Sequence, residues 1–319
     1  MASFSNAVPT QPSAELANLE LAVCSVLSGV PENVHRGNEY LIAFTETSAA
    51  WSAALSLFHH ENASVQYFAA NIINTKLNRH WDQLIDLQKE EIFQSLMNVL
   101  TKICSTDPEN GTYGKMDGNL FANRIILALC CICCKIPNGV SIYIHAAMEL
   151  IDKTPLDEFV ITLGLAMLKD LPGEIETLSF SQQERELLQD ELLRNFPPIM
   201  QKINIIASSP VWHTSHNTHV SCMKVIRCWL MHGMTLSKLF EEYEPCLTLI
   251  SASLQSNNGE KVKEGCSVLR EVVSVGDFPR SEIRDRAVLT VVSHMTSCSV
   301  YLAPFFDHTG ESGDEDVAH

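Results

Sequence analysis

His213, His216, His219 and Cys222 recur at intervals of three. On one continuous helix that spacing would line four metal-capable side chains along an edge, as a zinc site requires. Pro210 and the Ser, Thr and Asn that follow it instead read as a loop entering a helix at Thr218, so the residues share no face and a solvated loop is the better reading. Cys130-Cys131-Ile132-Cys133-Cys134 gathers four thiols, but neighbours on a helix project about 100° apart and cannot all reach one ion. Cys131 and Cys134 have the CxxC spacing of a redox pair, which works from an exposed helix start with a lowered thiol pKa, whereas these two fall late in an apolar run. They read as small core residues, and the chain's 11 cysteines as reduced thiols. Glu90-Glu91 and Glu241-Glu242 read as solvated faces. Gly-rich phosphate loop, nucleophile elbow and HExxH are absent from the sequence. No enzyme, no cofactor and no metal are expected.

The charge balance points to partners. With 38 acids against 22 bases the net charge is −16, a field that repels nucleic acid and anionic membrane and attracts basic proteins. A basic protein partner is therefore expected, with no nucleic acid and no membrane. The apolar run from Ile125 to Cys134 is far shorter than the roughly 18 residues a spanning helix needs. No basic residue precedes an apolar run at the amino terminus, against a secretory signal, so the chain is read as soluble and intracellular. Acidic clusters recur, among them Glu184/Glu186/Asp190/Glu191 and Glu311/Asp314/Glu315/Asp316. Each alone reads as solubility; converging on one surface they would form a negative trough.

The elements that would position any of these residues are helical. Almost every segment carries the 3.6-residue period, and no alternating run suggests a strand. The period predicts helices over 13–28, 31–45, 49–59, 63–79, 89–104, 119–135, 140–153, 156–171, 182–208, 218–232, 236–255, 260–275 and 281–298. Turn chemistry at Gly29-Val30-Pro31, Asp107 to Gly111, Pro137-Asn138-Gly139, Pro172-Gly173, Asn257-Asn258-Gly259 and Gly276 to Pro279 marks the expected boundaries. Pro197-Pro198 should kink or split the long run near Asn195. Paired in order, the helices make hairpins that begin about 35 to 50 residues apart, the spacing of helical-repeat solenoids of the HEAT or armadillo kind. The expected fold is all-α, a right-handed α-solenoid of HEAT-like hairpins. Its expected domains are a flexible segment over 1–12, a first group of repeats over 13–105 and further repeats over 106–319.

The segment from Ser64 to Trp81, SVQYFAANIINTKLNRHW, reads as a helix with an apolar side of Phe68, Ile72 and Leu77, widened by Val65, Ala69 and Ile73. Asn71, Asn74, Lys76, Asn78 and Arg79 are placed off that side, as an exposed amide and basic face. Such a helix suits an interaction scaffold. Together with Asn38, Tyr40, Leu41, Phe44, Thr47, Ala50 and Trp51 it resembles the amino-terminal domain of the importin-β superfamily, in which an AW pair is followed by a VxxFAAxxLxxKI helix. Lys135-Ile136-Pro137, the turn from Leu168 to Glu174 and the helix from Val225 to Leu230 follow in the family's order, and the resemblance is closest to the transportin-SR and importin-thirteen branch.

That resemblance implies a nuclear transport receptor that shuttles between cytoplasm and nucleus, binds the GTP-loaded small GTPase Ran through inner helices of its first repeats, carries protein cargo and admits nucleoporin repeats as further partners. It makes Asn71, Asn74, Lys76, Asn123 and Arg124 the Ran-binding candidates, with Asn74 departing from the family's common Lys. The rival reading is a generic HEAT-repeat scaffold or trafficking adaptor that ignores Ran. The acidic stretch from His308 to Asp316 is followed only by Val317, Ala318 and His319. It reads as a connector to a further helix, so the chain is expected to be part of a longer receptor, with Val300, Tyr301, Leu302, Phe305 and Phe306 poorly covered.

Overall fold

A computed structural model describes residues 12–105, 118–153, 157–209, 215–232, 244–274 and 293. The expected carboxyl-terminal helix, His213 and the aromatic cluster from Val300 to Phe306 lie outside the described residues. Every regular element described is helical: α1 Pro12–Leu27, α2 Pro31–Thr45, α3 Ala49–Leu57, α4 Ala63–His80 with a 3₁₀ turn at Trp81–Gln83, α5 Asp86–Ser105, α6 Gly118–Cys133, α7 Gly139–Lys153, α8 Glu158–Thr177, α9 Gln182–Ser208, α10 His216–Met231, α11 Glu244–Leu254 and α12 Gly259–Ser274. The all-α fold is thus as the period predicts. Among the described residues no helix is long and apolar enough to cross a membrane.

Local chemistry explains half of the described helix starts. Asn62 Oδ1 accepts from Ser64 N at 2.9 Å to cap α4, and Asp157 accepts from the Phe159 and Val160 amides to cap α8. Ser181 and Glu184 close a capping box on α9, Ser215 accepts from Thr218 N on α10, and Asn258 Oδ1 takes the amides of Glu260 and Lys261 on α12. Each cap satisfies amides that the first helical turn leaves without a carbonyl. Gly29, at φ +69°, turns the chain out of α1, and Pro31 follows at the start of α2.

The chain divides into two compact units, Met1–Gly139 and Val140–His319. In the first, α1 packs on α2, α3 on α4 and α5 on α6, while α1 also lies beside α3, α2 beside α4, and α4 beside α6. In the second, α8, α10 and α12 lie side by side in one layer and α9 and α11 in the other. This is hairpin stacking in two layers, within which each helix buries itself against its neighbours. Gly37 sets the closeness of α1 and α2: a Cβ there would meet Ala22 O at 2.7 Å and a Val26 methyl at 2.9 Å. Gly37→Ala gains about 1 kcal/mol of helix propensity but forces apart two backbones at a cost of about 1–3 kcal/mol. A net loss on the order of 1 kcal/mol is expected in urea denaturation, and a stabilised variant would mean that α1 yields freely.

Two helix breaks expected at prolines are not found. α8 does not end at Leu171 but runs through Pro172 and Gly173 to Thr177. Pro172 leaves the carbonyl four residues earlier, Leu168 O, without its helical donor. Trp229 Nε1 of α10 donates to that same oxygen at 2.9 Å. With Leu168, Leu171, Pro172 and Ile175 all buried, the helix is worth continuing because its apolar stripe continues. Likewise α9 is not split near Asn195: one helix passes through Pro197 and Pro198, carrying buried Phe196, Ile199, Met200 and Ile203 on one stripe.

Candidate functional site

The five residues singled out in the sequence fall on α4 and α6, which lie side by side in the first unit. Tyr67, Asn71, Asn74 and Asn78 are spaced four, three and four apart, so they form one stripe along α4. Against it stand Arg124 and Cys131 of α6, seven residues apart and therefore also on one stripe. Asn74 Nδ2 donates to Arg124 O at 2.9 Å across the seam and to Ala70 O, one turn back on α4, at 2.9 Å. Arg124 Nη2 donates to Tyr67 Oη at 3.2 Å, and its guanidinium carbon lies 5.5 Å from the centroid of the same ring. Cys131 Sγ donates to Asn78 Oδ1 at 3.4 Å. Asn71, Asn74 and Arg124 are half-buried in this seam, and Asn123 is exposed beside it. Arg124's hydrogen bond first, and Asn71's second, hold the Tyr67 phenol below its ordinary pKa, because both stabilise the phenolate oxygen.

Lys76 is elsewhere, and its expected exposure is wrong. It is 2% exposed, with its amine donating to Thr45 O at 2.9 Å and Thr47 O at 2.7 Å and lying 5.2 Å from the centroid of the Trp51 ring. These carbonyls end α2 and begin the turn into α3, so the ammonium caps the negative end of a helix. Burial lowers its pKa, and Glu46 partly opposes that. The signal was available in the sequence: Lys76 follows Ala69 by seven residues and Ile72 by four, which places it on the buried stripe rather than off it. Nearby, Glu46 accepts from Arg79 at 2.9 Å and lies 3.0 Å from His80 Nε2, and the Arg79 hydrogen bond chiefly holds the Glu46 carboxyl below its ordinary pKa. The carboxyl-terminal turns of α4 therefore grip the end of α2 with three basic groups. Tyr67 was missed in the sequence because the aromatic reading assigned its neighbour Phe68 to the apolar side and left Tyr67 unassigned.

The expected solvated loop is corrected: His216, His219 and Cys222 all fall on α10, which begins at His216, but they meet different neighbours. His216 Nε2 lies 2.9 Å from Glu260 Oε2 of α12, whereas His219 is buried with its Nε2 2.5 Å from Ser253 Oγ of α11. Cys222 is fully buried, and desolvation pushes its thiol well above the ordinary range. Among the described residues no three His, Cys, Asp or Glu side chains group in a way that could hold a metal ion. Cys130, Cys131, Cys133 and Cys134 are all buried, as the core reading of that run expects.

Residues 37–102 match the family model of the importin-beta N-terminal domain. The chain is 22% identical over 246 residues to Importin-13 homolog A of Dictyostelium discoideum, an alignment covering 73% of this chain and 22% of that protein. It therefore spans about a fifth of the length of the curated relative it matches. Among solved structures, an archaeal HEAT-like repeat protein from Thermococcus onnurineus NA1 shares 15% identity at a TM-score of 0.44, covering 89% of this chain and 88% of the other. An engineered protein shares 12% at a TM-score of 0.36, over 81% and 98%.

Proposed function

We propose that the chain, whose residues 37–102 match the importin-beta N-terminal domain, acts as a nuclear transport receptor of the importin-β superfamily, binds Ran-GTP through the α4 and α6 seam and carries basic protein cargo between cytoplasm and nucleus. The observation that carries this reading is the seam itself. α4 lies inside the matched residues 37–102, and four of the five candidates, Asn71, Asn74, Asn123 and Arg124, gather on or beside its contact with α6, where they remain at least partly accessible. Lys76 leaves the list of contacts and enters the scaffold. The −16 charge supports a basic cargo, since the summed field draws cationic proteins and speeds their encounter.

The test is retention of purified Ran, loaded with GTP or with GDP, on the immobilised chain. Selective retention of the GTP form is expected. Equal retention of both forms, or of neither, would assign the chain to the scaffold class, because helical repeats of one architecture serve many unrelated partners.

A further inference from the structure

The two helices that form the seam share a property unexpected in this chain. α4, of 18 residues, and α6, of 16, contain no Asp and no Glu, although the chain carries 38 acids. α3 and α10 are also free of acids, but α3 carries no cation, and Lys224 and Arg227 of α10 pair with Glu260 and Glu264 of α12, so those cations are neutralised within the fold. Among the described residues Arg124 has no carboxylate partner; its guanidinium meets the Tyr67 hydroxyl and ring.

A half-buried guanidinium held in this way has its plane oriented in advance and most of its five donors uncommitted. Its backbone is tied as well, by the Asn74 amide on its carbonyl. We infer that Arg124 is a receptor for a carboxylate side chain of the protein partner, positioned by Tyr67, with Asn71 on the same phenol and the exposed Asn123 next to it in sequence. This rests on the proposed role of the seam as the Ran-facing surface and names what that surface reads: an acidic residue, the reverse of the basic cargo that the whole-chain charge attracts. A carboxylate matches a guanidinium edge with two parallel hydrogen bonds, which an ammonium cannot reproduce. With no acid on either helix, the seam itself supplies no carboxylate to neutralise Arg124.

The experiment uses the full chain in two measurements. In the first, Ran-GTP affinity is determined for the parent and for Arg124→Gln, Arg124→Lys and Tyr67→Phe. Both Arg124 variants should bind about tenfold or more weakly. Tyr67→Phe, which keeps the ring and removes only the acceptor, should lose roughly threefold to tenfold with an unchanged melting temperature, a loss that a purely structural role would not produce. Full affinity in Arg124→Lys would overturn the two-bond recognition, and full affinity in Tyr67→Phe would overturn the positioning role. In the second, the Arg124 Nε–H signal is followed by NMR during titration with tetraglutamate and, separately, tetraglutamine. A shift with tetraglutamate alone supports the carboxylate receptor even if the chain retains no Ran, in which case only the transport reading falls. Equal shifts, or none with either peptide, overturn the inference whatever Ran does.

Discussion

Lys76→Glu should destabilise the first unit by about 3–5 kcal/mol, the cost of leaving a buried charge without its partner. The parent ammonium lies 2.9 Å from Thr45 O and 2.7 Å from Thr47 O, at the end of a helix whose dipole favours a cation there. A carboxylate in its place faces two carbonyl oxygens, acceptor against acceptor, with Glu46 close by. The substitution also forfeits the contact with the Trp51 ring 5.2 Å away. Lys76→Met separates the contributions, since it preserves the length of the side chain and only leaves the carbonyls unsatisfied, at about 1–3 kcal/mol. Urea unfolding followed by the fluorescence of Trp51 and Trp81, both in this unit, should place the midpoints in the order parent, Met, Glu. A Glu variant as stable as the parent would mean that the amine does not cap α2. Because it unfolds the scaffold, this substitution says nothing about partner contacts, and Arg124 is the residue on which those are tested.

The second large effect is expected at Trp229. This side chain is 2% exposed, packs near Phe196 with ring centroids 6.1 Å apart and supplies the donor that Pro172 denies to Leu168 O. Trp229→Ala should cost about 3–5 kcal/mol through the cavity and the orphaned carbonyl together. Trp229→Phe retains most of the apolar contact and isolates the hydrogen bond, at about 1–3 kcal/mol. The coupling between the two residues is measurable. In a Pro172→Ala background the helix regains its own amide donor to Leu168 O, so Trp229→Phe should cost less there than in the parent, by about 1 kcal/mol. Equal costs in both backgrounds would show that the indole and the proline act independently.

What could be read from the chain alone was whatever depends on near neighbours. The helical period marked the described helices, most ends agreeing to within a few residues, and Asn62, Ser181 and Asn258 cap helices at boundaries set by side-chain-to-backbone bonds spanning two or three positions. The cysteine run of α6 was readable as core for the same reason: burial follows from its place in an apolar period. Even the burial of Lys76 was present in its spacing from Ala69 and Ile72, though a charge suggests water until carbonyl partners are known to wait 29 and 31 residues earlier. Only the tertiary structure could decide the fate of Pro172, since the donor that lets α8 continue comes from a tryptophan 61 residues away. It also decided the seam, by setting Arg124 against Tyr67 across 57 residues. A local pattern states which way a side chain points along its own helix, but not which helix stands opposite, and the partners that commit or spare a charge are chosen by that packing.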